Sequence, residues 1–186
     1  MQTARSTAPL TISSSVMTLR PLEDSLLPTV SEWLANKQNH QWLDFGYGNQ
    51  LLTPATLKIM AQRESHVLRV FTNDFGDVPL GLIALSNVSR SFRYATLWYV
   101  LGAKDYSSKG YTKRAVSRML ALAFEEMDLH SVNAWAVEAN RAAIRVLSTN
   151  NFQLMGRQRR CHYIDGVPHD RLMFDLLRPE FKGIIA

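Results

Sequence analysis

The stretch from Leu97 to Leu129 constrains the fold of this chain more than any other. Leu97-Trp98-Tyr99-Val100-Leu101 reads as a strand, Gly102 to Lys109 as a short polar loop, and Gly110 opens a long amphipathic helix from Tyr111 to Met127. Val116, Met119, Leu120, Ala123, Phe124 and Met127 form its apolar stripe. A glycine-containing loop between strand and helix presents N–H groups that have no intrahelical partner, which makes an anion site. Lys109, Lys113 and Arg114 stand at the start of this helix, and Glu125, Glu126 and Asp128 at its end. The helix dipole prefers the reverse by roughly 0.3–1 kcal/mol per charge. A polyanion bound at the N-terminus would reconcile the order; screened surface charge is the plainer alternative.

The rest of the chain supplies partners for this unit. Val16 to Arg20 alternates and stops at Pro21, a short strand. Glu23 to Asn36 carries Leu26, Leu27, Val30, Trp33 and Leu34 on one helical face, with Pro28 near its first turn. An aromatic, glycine-containing stretch follows (His40, Trp42, Phe45, Tyr47), and Thr53-Pro54 then caps and opens a second helix that runs to about Glu64. Val67–Thr72, Leu80–Val88 and Tyr94–Leu101 are strands at hairpin spacing. After the long helix come a strand at Val132–Val137, a helix at Asn140–Thr149 and two strands, Phe152–Tyr163 and Val167–Leu177, joined by the turn signal Asp165-Gly166. The order β, α, α, β, β, β, α, β, α, β, β predicts an α+β fold, a mixed sheet with helices on its faces.

The 186 residues, 46% hydrophobic and 20% charged, suit one domain over residues 16–178, an N-terminal extension at 1–15 and a tail at 179–186. A single cysteine, Cys161, leaves no internal disulfide and suits a reducing cytoplasm. No apolar run is long enough to span a membrane, and the first fifteen residues lack a secretory apolar core. The net charge of +5 admits a phosphate-bearing ligand or an acidic partner. Arg157, Arg159 and Arg160 read as a solvated strand edge; nucleic acid is not expected as a partner unless it is tRNA-linked or ribosomal. Cys161, His162, Asp165, His169 and Asp170 crowd the last hairpin, but the turn explains Asp165, and His162 and His169 suit a cross-strand pair, so no metal is expected.

Three segments together resemble the GNAT superfamily of acetyl-CoA-dependent N-acetyltransferases, in particular its branch that acetylates ribosomal-protein N-termini. They are Asp105-Tyr106-Ser107-Ser108-Lys109-Gly110-Tyr111-Thr112 at the place of the pyrophosphate loop, the run from Trp135 through Asn140 and its helix to Asn151-Phe152, and the closing hairpin from Gly156-Arg157 to Asp170. The resemblance implies a mostly antiparallel sheet of about seven strands and acyl transfer from CoA to a primary amine in a ternary complex. It also implies a monomer or homodimer. Tyr99, Val100, Leu101 and Gly102 would hold the pantetheine arm, and Ser107, Ser108, Lys109, Gly110, Tyr111 and Thr112 the pyrophosphate. Asn140 and Arg145 would complete the cofactor site. The strand of Trp98 would splay from that of Trp135, and a backbone N–H near Val100 or Leu101 would stabilise the oxyanion. Trp42, Tyr47, Trp98 and Trp135 would wall the acceptor.

The chain departs from the family pattern at several positions. Ser108 replaces the first loop glycine, Asp105 the leading Gln or Arg, and Asn151 the glycine before Phe152. Ala143 and Leu147 stand where the family carries a hydroxyl that protonates the departing thiolate. The general base is open among Glu138, Tyr94, His162, Asp44 and His40. The alternative function is an acyl-CoA-binding or protein-interaction module with reduced catalysis.

Overall fold

The computed structural model describes residues 16–44 and 52–183. The expected extension at 1–15, Tyr47, and the last three residues of the expected tail lie outside that range. The alternating runs form β1 (Leu19–Pro21), β2 (Val67–Thr72), β3 (Pro79–Ser89), β4 (Tyr94–Leu101), β5 (Ser131–Val137), β6 (Gln153–Ile164) and β7 (Val167–Leu177). They pair in one sheet, ordered β1-β2-β3-β4-β5-β7-β6. Every neighbouring pair is antiparallel except β4 and β5, which are parallel. The expected mixed α+β sheet of seven strands is therefore what forms.

The helices are α1 (Leu27–Ala35), α2 (Lys37–His40), α3 (Pro54–Ala61), α4 (Tyr111–Ala121) and α5 (Arg141–Thr149). Two buried clusters sandwich the sheet. On one face Leu97, Ala134 and Ala136 pack with Val116, Met119, Leu120 and Phe124 from the long helix. On the other Leu82, Ala84 and Val100 pack with Leu27, Val30, Leu34 and Leu57 from α1 and α3. Alternation along β4 divides the two sets, with Leu97, Tyr99 and Leu101 toward α4 and Trp98 and Val100 toward α1. Burial of each large side chain stabilises the sandwich by about 1.5–3 kcal/mol.

Several expected boundaries move, each for a local reason. β1 includes Pro21 because it is an edge strand, where a missing N–H costs no ladder bond. Met17 and Thr18 bond side chains instead, their N–H groups donating to Asp74 Oδ1 (3.2 Å) and Thr72 Oγ1 (3.1 Å). The first helix breaks at Asn36, whose extended backbone and side-chain bond to the Gln38 N–H start α2. The second helix ends at Ala61, short of Glu64, though Thr53 caps it as expected. The long helix turns from α to π geometry over Leu122–Glu126. The wider turn keeps both Ala123 and Phe124 in the core.

Two of the reversed charges on this helix, Arg114 and Asp128, are neutralised in place. Asp128 pairs with Arg93 (2.9 Å) and Arg178 (2.5 Å), and Arg114 with Asp74 (2.6 Å). The expectation that Arg114 assists a bound anion is corrected by that pair. Residues 178–183, expected largely as a tail, fold back on the helix: Phe181 lies 5.5 Å from the Phe124 ring, and Ser117 donates to the Gly183 carbonyl at 3.2 Å.

Candidate active site

The sheet opens at one point. β4 and β5 pair only at Tyr94–Ser131, Ala95–Val132 and Thr96–Asn133. Beyond Thr96 the two strands carry no mutual register, so Leu97–Leu101 and Ala134–Val137 border a gap. The Gly102 N–H donates to the Leu80 carbonyl at 2.9 Å. Antiparallel alternation then turns the backbone groups of Val100 and Trp98 toward β3, and those of Leu97, Tyr99 and Leu101 into the gap. Of the two expected donors Leu101 stays and Val100 is corrected, because its N–H is turned to β3; Tyr99 offers an N–H to the gap instead. Gly102 serves packing: a Cβ there would lie 2.0 Å from Cδ2 of Trp33, whose ring covers the backbone.

A cavity of about 760 Å³ runs through this gap and reaches both faces of the sheet. On the α4 side its wall includes Tyr106, Ser107, Ser108, Gly110, Tyr111, Thr112 and Lys113, with Asn140, Arg141, Ala143 and Arg145 from α5. No side chain caps α4, so its first-turn N–H groups face this space. Ser108 takes φ +61° and Gly110 φ +80°. The missing loop glycine is thus replaced by a serine held in the left-handed region, at a cost of about 1 kcal/mol. Asn151, with φ +66°, substitutes for glycine more easily, because asparagine tolerates this conformation. Asn140 caps α5 by accepting from the Ala143 N–H at 3.1 Å, leaving its amide nitrogen for a ligand. Tyr99 crosses from the sheet to α5, donating to the Ala143 carbonyl at 3.4 Å, and burial pushes its phenol well above the ordinary range.

On the α1 side the wall is formed by Gln38, Asn39, Trp42, Leu43, Trp98, Lys104 and Trp135. Trp98 is fixed by an indole N–H bond to Ser86 Oγ at 2.7 Å. Buried Asn39 donates to the Trp33 carbonyl at 2.8 Å and accepts from the Lys104 ammonium. Desolvation of that ammonium lowers its pKa. Three contacts clamp α2 and the turn after it to the closing hairpin: Lys37–Asp165 (2.6 Å), Gln41 carbonyl to His162 Nε2 (2.7 Å), and Asp44–Arg171 (2.7 Å). Arg171 also stacks on Trp135, with its guanidinium carbon 4.1 Å from the ring centre.

None of the expected candidate bases reaches the cavity wall. Tyr94 stands at the far, paired end of β4. Glu138 accepts from Arg157 at 3.0 Å and from the Asp170 N–H at 3.2 Å. His162 is buried behind Trp135, its ring 5.8 Å from the indole. Arg171 donates to its Nδ1 at 3.0 Å, so the proton belongs on Nε2 and the ring is neutral; burial lowers its pKa. Lys109 lies over the Tyr106 ring (4.7 Å) rather than on the wall. Lys104 and Asn39 were missed in the sequence, because only the tertiary fold joins residues 65 apart. Among the described residues no group of three His, Cys, Asp or Glu gathers as a metal site, and His162 and His169 are cross-strand partners. No described helix is long and apolar enough to cross a membrane.

This architecture recurs in known proteins. The chain is 31% identical over 103 residues to a Bacillus subtilis (strain 168) protein named "Putative ribosomal N-acetyltransferase YdaF", a match spanning 55% of this chain and 56% of that one. The spermidine N-acetyltransferase of Vibrio cholerae, in complex with CoA and spermine, superposes with TM-score 0.77 at 18% identity over 89% of this chain and 98% of its own. The ribosomal-protein-S5-alanine acetyltransferase of Vibrio fischeri does so with TM-score 0.72 at 20% identity over 89% and 95%. At those identities the two structures speak to the fold. The acetyltransferase (GNAT) domain model matches residues 17–153, most of the chain, and the chain therefore belongs to the GNAT acetyltransferase family.

Proposed function

We propose that the protein transfers an acetyl or other acyl group from CoA to a primary amine, directly, in a ternary complex. The through-sheet cavity at the β4–β5 gap carries this reading. It joins a basic, N–H-rich chamber to an aromatic one across a single backbone opening. CoA suits the first chamber. The free N–H groups of the α4 start, the Ser107–Thr112 loop, Lys113 and Arg145 would take the pyrophosphate. The Tyr99 and Leu101 backbone would take the pantetheine arm and the thioester oxygen.

The amine enters from the tryptophan side and attacks the thioester carbon. The tetrahedral oxygen gains charge and is stabilised by a β4 N–H. As the C–S bond breaks, nitrogen loses one proton and sulfur gains one. Ala143 and Leu147 offer no donor, so Tyr99 takes that part in our reading: its hydroxyl reaches the Ala143 carbonyl at the start of α5, beside the position that lacks the donor, and a phenol is protonated at neutral pH. That absence at Ala143 and Leu147 also favours a second reading, a CoA-binding module with weak catalysis. Calorimetry with acetyl-CoA followed by thiol release over an amine panel separates them. The proposal expects binding and turnover; binding without turnover on any amine supports the module, and no binding at millimolar CoA defeats both.

A further inference from the structure

The acceptor chamber has an unusual charge inventory for an enzyme that acts on amines. Among the described residues its wall includes no Asp, Glu or His, and its cation is Lys104. All 16 acidic residues of the chain fall within the described range, so the undescribed segments hold no aspartate or glutamate that could enter the site. The carboxylates just outside are occupied: Asp44 by Arg171, Glu138 and Asp170 by Arg157. Beside Gln38, Asn39 and Leu43, the wall carries three large aromatic side chains, Trp42, Trp98 and Trp135.

We infer, building on the acyl-transfer reading above, that this chamber selects a weakly basic amine on a flat body and rejects aliphatic polycations, with Lys104 as a specificity-determining residue. An ammonium entering here meets a like charge, and no wall carboxylate stabilises it or removes its proton. The amine must therefore arrive neutral. At pH 7.5 an α-amine of pKa about 8 is roughly one-quarter neutral, whereas an alkylamine of pKa about 10.4 is about 0.1% neutral. The difference in the reactive species is about 200-fold. In the step itself the neutral nitrogen forms the C–N bond, the C–S bond breaks, one N–H proton passes to water and one proton reaches sulfur. Net proton uptake is zero, and no base on the acceptor wall is required. The tryptophan faces hold an aromatic or planar neighbour of the amine.

The test uses matched acceptors with one ring and two basicities, phenylalanine amide and phenethylamine, with spermidine as the polycation, on the full chain at pH 7.5. Acetyl-CoA binding is measured first by calorimetry. The inference expects kcat/KM for the amide to exceed that for phenethylamine by about 100-fold, with spermidine lower still. Lys104→Glu should raise the spermidine-to-amide ratio at least tenfold, and Lys104→Met by less. If acetyl-CoA binds but spermidine or phenethylamine is the better substrate, or none turns over, or Lys104→Glu leaves the ratio unchanged, the inference is overturned and the CoA assignment stands. If acetyl-CoA does not bind, both fall.

Discussion

The two halves of the cavity are built by different means. The α4 side is made of backbone: a loop, a helix start and the unpaired edge of β4 supply N–H groups whose positions follow from chain direction. The acceptor side is made of side chains from distant segments, with Asn39, Trp98, Lys104 and Trp135 brought together by the sheet and the α2 clamp. A site made of backbone tolerates sequence change, as Ser108 illustrates by adopting a glycine-like conformation. A site made of side chains does not, and we propose that specificity resides there.

Four substitutions probe that contrast. The largest effect is expected at Tyr99, the side chain on which the backbone-built half depends. Tyr99→Phe should lower kcat by about 10²-fold, the scale of general acid catalysis, while leaving acetyl-CoA affinity nearly unchanged; a kcat within threefold would remove Tyr99 from the proton path. Lys109→Glu with Lys113→Glu should weaken acetyl-CoA at least tenfold by calorimetry, less at high salt. Unchanged affinity would mean that the N–H groups suffice alone. Ser108→Gly removes a left-handed serine and should stabilise the fold by about 1 kcal/mol in urea unfolding, with CoA affinity retained. A destabilised variant would show that the serine makes compensating bonds.

The smallest effect tests the clamp of the acceptor half. His162 is neutral and buried, with a pKa below its unfolded value of 6.5. Below 6.5 the unfolded chain takes up a proton that the folded chain resists. The contribution of this histidine is therefore complete above about pH 6.5 and is lost as pH falls toward the folded pKa. The urea midpoint should decline over that window, and His162→Gln should flatten the decline relative to wild type. An identical slope in the variant would detach His162 from the clamp.

The same division explains what could be read in advance. The strands, their order along the chain and the start of α4 at Gly110 were legible because alternation, caps and turn residues act locally: Thr53, Asn140 and Asp165-Gly166 do what their residue types dictate. The β4–β5 splay came from the family resemblance and shows in the register. The general base was not legible. Glu138 and His162 had suitable chemistry, but Arg157 and Arg171 engage them, and nothing local in the sequence announces pairs separated by 19 and 9 residues. The π turn after α4 was hidden because an α-helical stripe and a π-widened one share the same apolar residues over a single turn.

We place acyl transfer in the gap where β4 leaves β5. A crystal structure with acetyl-CoA, or a non-hydrolysable analogue, tests it most directly. The pyrophosphate should lie on the Ser107–Thr112 loop and the thioester between Leu97–Leu101 and Ala134–Val137, its oxygen within hydrogen-bonding distance of the Tyr99 or Leu101 N–H. A thioester bound outside the gap, or a pyrophosphate away from the α4 start, would contradict it.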